Sequence, residues 1–128
     1  MAKKNIRWEK RPDKKDYDAA LNYLSLIYPT AHARKLVKSL YGSKMIERAA
    51  KDLLRASGLP LLSREEPHVN DDLTKIRKGK PLSPVLLIQG DLTKQIPLIV
   101  ADGYHRICAI CYYDENTPIP CCMAYDAT

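Results

Sequence analysis

Asp102-Gly103-Tyr104-His105-Arg106 sets a carboxylate, a glycine, an imidazole and a guanidinium side by side. The apolar run Leu98-Ile99-Val100-Ala101 precedes them and a helical pattern follows, so they fall where a buried strand turns into a helix. A helix start presents unpartnered backbone N–H groups and the positive end of the helix dipole, which together attract phosphate. Gly103 lets the backbone take a positive φ and lets a ligand come close. Gly103 and Tyr104 would supply amides, and Arg106 a rigid fork of donors suited to phosphate oxygens. His105 can donate a hydrogen bond or move a proton near neutral pH. Asp102 repels phosphate unless a metal or a substrate hydroxyl lies between, which makes it a candidate Mg²⁺ ligand or general base. The competing reading is structural: Asp102 merely caps the helix and Arg106 pairs with a surface carboxylate.

The elements that must hold this turn follow from periodicity. Tyr17, Ala20, Leu21, Leu24, Ile27 and Tyr28 share one helical face, and Ala33, Leu36, Val37, Leu40 and Tyr41 share another after Pro29. Met45 to Ser57 reads as a third helix closed by Gly58. Alternatively, Asp52 caps a shorter helix and Lys44 to Ala50 is extended. Val69, Leu73 and Ile76 mark a helix stopped by Gly79 and Pro81. Val85-Leu86-Leu87-Ile88 and Leu98-Ile99-Val100 are short, continuously apolar runs, as in strands buried on both faces. A polar loop from Gln89 to Pro97 joins them; a helix over 104–113 and a strand from Ile119 follow. The expected fold is α+β: a helical N-terminal half, then a small mixed sheet with a phosphate-binding helix N-terminus. One domain spans 16–128, behind a basic, flexible tail over 1–15.

The chain has 128 residues, enough for a core that folds without staples, and a formal net charge of +6. Much of that excess lies in Lys3, Lys4, Arg7, Lys10, Arg11, Lys14 and Lys15, a stretch expected to be solvated. A positive balance suits an anionic partner, nucleotide or nucleic acid. Behind Met1 there is no apolar leader, and no run is long enough to span a membrane, so a complete cytoplasmic protein is expected.

Pro81-Leu-Ser-Pro-Val-Leu-Leu-Ile88, the polar loop, Leu98-Ile-Val-Ala-Asp-Gly-Tyr-His-Arg106, Ala109 and Ile119-Pro120 resemble the ParB N-terminal and sulfiredoxin superfamily. The resemblance covers residues 68 to 124. It implies a nucleotide site in which His105 and Arg106 hold phosphates. It also implies that the helix before the first strand offers its start to the nucleotide, placing His68 and Asp71 there, where sulfiredoxins carry Lys and Ser. Tyr104 stands where sulfiredoxins carry their reactive Cys, so sulfinic-acid reduction is not expected. ParB-type proteins bind CTP in the equivalent pocket and read DNA with a following helix-turn-helix, which is not expected in a chain that runs only to Thr128. Kinase-like members carry an Asp-Gly-His-His-Arg variant, and Asp102 to Arg106 is closest to that form.

Cys108-Ala-Ile-Cys111 lies inside a predicted helix, and Cys121 and Cys122 must face opposite sides of a strand. Two zinc knuckles are therefore not available, the cysteines read as buried thiols, and no zinc is expected. No P-loop or dinucleotide glycine motif is present. The leading expectation is a domain that binds ATP or another NTP with Mg²⁺ and transfers or hydrolyses phosphate, with Asp102 and His105 as catalytic groups. One alternative is a nucleic-acid-binding or nuclease-like module using the basic N-terminus. Another is a non-catalytic member that mediates protein contacts.

Overall fold

Every position of Val85-Leu86-Leu87-Ile88 is buried, and the strand they form lies inside the sheet rather than at its edge. The computed structural model describes residues 5–126. Its elements are α1 (Lys14–Leu24), α2 (Thr30–Tyr41), β1 (Ile46–Ala49), α3 (Ala50–Ser57), α4 (Pro67–Arg77), β2 (Val85–Ile88), a 3-10 turn at Leu92–Lys94, β3 (Ile99–Asp102), α5 (Tyr104–Asp114) and β4 (Pro118–Ala124). The sheet order is β1-β4-β2-β3. β2 runs parallel to β4, while β1–β4 and β2–β3 are antiparallel, so the sheet is mixed. No described helix is long and apolar enough to cross a membrane.

Alternation along β2 and β4 divides the core into two layers. Leu86, Ile88, Cys122 and Ala124 pack with Leu24, Leu36 and Leu40 from α1 and α2. Val85, Leu87, Ile119 and Cys121 pack on the other side with Leu53, Leu73 and Ile110 from α3, α4 and α5. The adjacent cysteines thus face opposite layers, as the strand period requires. Burying each Leu or Ile contributes roughly 1.5–3 kcal/mol relative to leaving it exposed. Helices on both faces explain why β2 reads as an unbroken apolar run.

Two local differences separate structure from sequence. Met45 to Ser57 is not one helix: Ile46–Ala49 pairs with β4 in the register Ile46↔Cys121 to Ala49↔Pro118, and α3 starts only at Ala50. The extended alternative is the one realised, although Ala49 rather than Asp52 precedes the first helical residue. The segment expected to be a flexible tail is, from residue 5 onward, laid against the domain. The Leu82 amide donates to the Arg7 carbonyl and the Glu9 amide to the Leu82 carbonyl, at 2.9 and 2.8 Å. The Arg7 and Arg11 guanidinium groups donate to the carbonyls of Gly79 and Tyr41, at 3.1 and 3.0 Å. Lys3 and Lys4 lie outside the described residues.

Candidate functional site

Three helix N-termini converge on one cavity of about 370 Å³: α1 through Asp13, Lys15 and Asp16, α4 through His68, Asp71 and Asp72, and α5 through Gly103, His105 and Arg106. Two of the three are capped from within. The Asp16 carboxylate accepts from the Asp13 amide at 2.9 Å, and the Glu66 carboxylate accepts from the Val69 amide at 2.9 Å. α5 begins behind Gly103 with no side-chain cap, which leaves the amides of Tyr104, His105 and Arg106 without intrahelical acceptors. Glycine is required there. Its φ is +111°, and a Cβ would lie 2.4 Å from Val85 Cγ1.

Arg106 is held rather than free. Its guanidinium reaches Asp102 at 2.5 Å and Asp16 at 3.4 Å, and the three side chains are 13%, 18% and 7% exposed. Its Nε is buried without a hydrogen-bond partner. The structural reading is corrected on both counts: Asp102 does not cap α5, and the carboxylates paired with Arg106 are largely buried beside the cavity rather than on an outer surface. Burial pushes the Asp102 carboxyl up to about 6, against the pull of Arg106. Burial also works to raise Asp16, but the Asp13 amide and Arg106 hold its carboxyl below the ordinary range. The two carboxylates share one cation, and Asp102 is the one that takes up the proton.

The sign of the resulting pH dependence is fixed. The folded Asp102 carboxyl titrates near 6 against an ordinary value of 3.8, so between these values the folded state holds a proton that the unfolded chain has lost. Its contribution to stability therefore grows as pH falls from 7 to 4, opposite to the contribution of Asp16. Relative to Asp102→Asn, the wild type should gain roughly 2 kcal/mol between pH 7.5 and pH 4. Urea denaturation of both proteins at the two pH values measures this. An unchanged difference would place the proton elsewhere.

Of the residues singled out from sequence, Asp102, Gly103, His105, Arg106, His68 and Asp71 line the one cavity. Tyr104 does not. Its hydroxyl donates to the Pro60 carbonyl, which ties α5 to the connection before α4 and leaves only the Tyr104 amide for a ligand. His105 lies with its ring centroid 4.7 Å from that of His68. Sequence reasoning did not find Glu9, Asp13, Lys15, Asp16, Asp72 or Lys75. Asp72 and Lys75 had a signal, since they follow His68 at helical spacing and so share its face. Asp13, Lys15 and Asp16 had none, because only tertiary packing brings them to α5.

The full lining changes the electrostatic picture. Six carboxylates, those of Glu9, Asp13, Asp16, Asp71, Asp72 and Asp102, face three permanent cations, Lys15, Lys75 and Arg106. Bare phosphate is poorly matched to such a cavity. Phosphate carrying its own divalent cation is well matched, because the hard oxygen donors can share the metal with the ligand. Elsewhere the cysteines are free thiols, and burial pushes those of Cys111 and Cys121 up to about 11. A scan against protein-family models finds no match to this chain, and comparisons with curated proteins and with solved structures find none either.

Proposed function

We propose that this chain is a divergent ParB/sulfiredoxin-type domain that binds a magnesium–nucleoside triphosphate and transfers or hydrolyses its terminal phosphoryl group. The observation that carries this reading is the start of α5, which has no side-chain cap and opens behind Gly103 onto a cavity that also holds Arg106 and His105. The amides and the guanidinium hold the phosphate oxygens, and His105 completes the cradle. Asp102 is engaged by Arg106 and titrates near 6, which suits it better to accept a proton from the attacking hydroxyl or water than to bind metal. The carboxylates of Asp71 and Asp72, on the facing helix start, fit Mg²⁺, which when bound neutralises charge on the phosphates. His68, beside them, faces the same phosphates.

The test is calorimetric and thermal titration with ATP and CTP in zinc-free buffer, with and without Mg²⁺. At about 100 times the dissociation constant, a nucleotide that binds only the folded state adds roughly 2.7 kcal/mol, which raises Tm by several degrees. That shift should require Mg²⁺, given the six carboxylates. Absence of a shift with every nucleotide in the presence of Mg²⁺ sinks the reading. The nucleic-acid alternative draws less support, since Arg7 and Arg11 spend their guanidinium groups on backbone carbonyls of the domain.

A further inference from the structure

One cluster supports more than nucleotide binding, although two of its members, His68 and His105, also face the proposed phosphates. Glu66, His68 and His105 bring one carboxylate and two imidazoles together from two different helices, with one ligand atom of each lying within 4.8 Å of the others. Glu66 Oε1 is 2.9 Å from His68 Nδ1, and Glu66 Oε2 is 3.8 Å from His105 Nε2. Ligand atoms around a tetrahedral zinc at bond lengths of about 2.0–2.2 Å stand roughly 3.3 Å apart, inside the range spanned here. The three donors therefore lie close enough together to share one ion.

We propose that Glu66, His68 and His105 form a three-ligand site for a borderline divalent cation of zinc type, beside the phosphate cavity. The donor set selects the cation. Two imidazole nitrogens with one carboxylate suit Zn²⁺ and its neighbours, whereas Mg²⁺ and Ca²⁺ prefer all-oxygen shells. Three protein ligands leave the fourth position open, the stoichiometry of zinc sites that take water or substrate. His68 and His105 line the cavity, so that position is accessible from it. The sequence expectation of no zinc concerned the cysteines alone, whereas this site uses none of them. Pro67 at the first turn of α4 and the Glu66–Val69 hydrogen bond hold Glu66 without metal, His68 is held by its hydrogen bond to Glu66, and the contact of the two tilted rings holds His105. The ligands are therefore largely pre-arranged, which lowers the ordering cost of binding.

The experiment is equilibrium dialysis of the purified chain against Zn²⁺ alone, together with the visible spectrum of the Co²⁺ form. One equivalent of zinc per chain is expected, with cobalt d–d bands and no thiolate-to-metal charge transfer. Glu66→Gln keeps an oxygen able to accept from the Val69 amide, and His68→Ala removes an exposed side chain, so both variants should fold as judged by circular dichroism. Loss of an outer-shell partner alone costs about 10–100-fold in affinity, so loss of a ligand should weaken zinc binding by roughly tenfold or more. Less than one equivalent in the wild type, a thiolate charge-transfer band, or wild-type affinity in both variants would each overturn the site. The proposal does not depend on nucleotide binding. Arg106→Lys should keep the zinc while weakening Mg²⁺–nucleotide binding, and Glu66→Gln should do the reverse, so either reading can fail alone.

Discussion

Gly103→Ala is expected to destabilise the domain by about 4 kcal/mol, through backbone strain and overpacking combined. At φ +111° an L-residue is outside its favoured regions, and the new Cβ would stand 2.4 Å from Val85 Cγ1 and 2.9 Å from the Arg106 guanidinium. Val85 is fully buried in the central strand and cannot move aside without opening the core layer that contains Leu87 and Ile107. Gly79→Ala is the informative control. Its φ is +71°, close to the ordinary left-handed region, and nothing lies within 4 Å of its added Cβ, so the cost should be about 1 kcal/mol. Denaturant melts of the two variants should differ in midpoint with similar slopes. Val85→Ala in the Gly103→Ala background should recover part of the loss, since it removes the clash and leaves the φ strain. A cost at Gly103 no larger than at Gly79 would mean that the α5 start yields readily, and the close approach argued for a ligand would lose its basis.

The parts of the fold and of the site that could be read from sequence are those set by local pattern. The strands at Val85–Ile88 and Ile99–Asp102, and the helix after Gly103, follow from apolar runs, punctuation and period, with no knowledge of partners. β1 follows from none of these. Ile46–Ala49 carries two charged residues in four and becomes a strand because β4 presents an unpaired edge to it, a contact across more than seventy residues of sequence. The segment over residues 5–13, read from sequence as solvated, differs for a similar reason. A run of Lys and Arg looks solvated until the carbonyls of Gly79 and Tyr41 and the backbone of Leu82 are brought beside it. At the site, the contiguous motif 102–106 was readable, and His68 and Asp71 were reached by resemblance. Asp16 was not, since it is the second carboxylate on Arg106 from a helix ninety residues away. Because its contribution is electrostatic and non-local, the acidic character of the cavity appears only in the folded chain.

That acidic character makes Arg106 the residue whose loss should be felt most. It is the cation between Asp16 and Asp102, both largely buried, and in the proposed function its fork is the strongest phosphate ligand. Arg106→Ala should cost about 3 kcal/mol, because two buried carboxylates are left facing one another without compensation. The cost should be smaller at pH 5 than at pH 8, since protonation of Asp102 relieves the repulsion. It should also abolish the Mg²⁺–nucleotide thermal shift, at least a hundredfold loss by the measure of about 1.4 kcal/mol per factor of ten. The structural and ligand roles separate with two further variants. Arg106→Lys keeps a charge between the carboxylates and should retain most of the stability, yet it loses the planar fork and should bind nucleotide roughly tenfold more weakly or worse. Adding Asp102→Asn to Arg106→Ala removes one of the stranded charges, so it should recover stability without recovering nucleotide. If Arg106→Ala binds Mg²⁺–ATP within threefold of wild type, or if the double variant regains affinity, the guanidinium serves only to neutralise its two carboxylates. In that case the guanidinium is not a phosphate ligand, and nucleotide affinity rests on the uncapped amides of α5 and the metal-binding carboxylates.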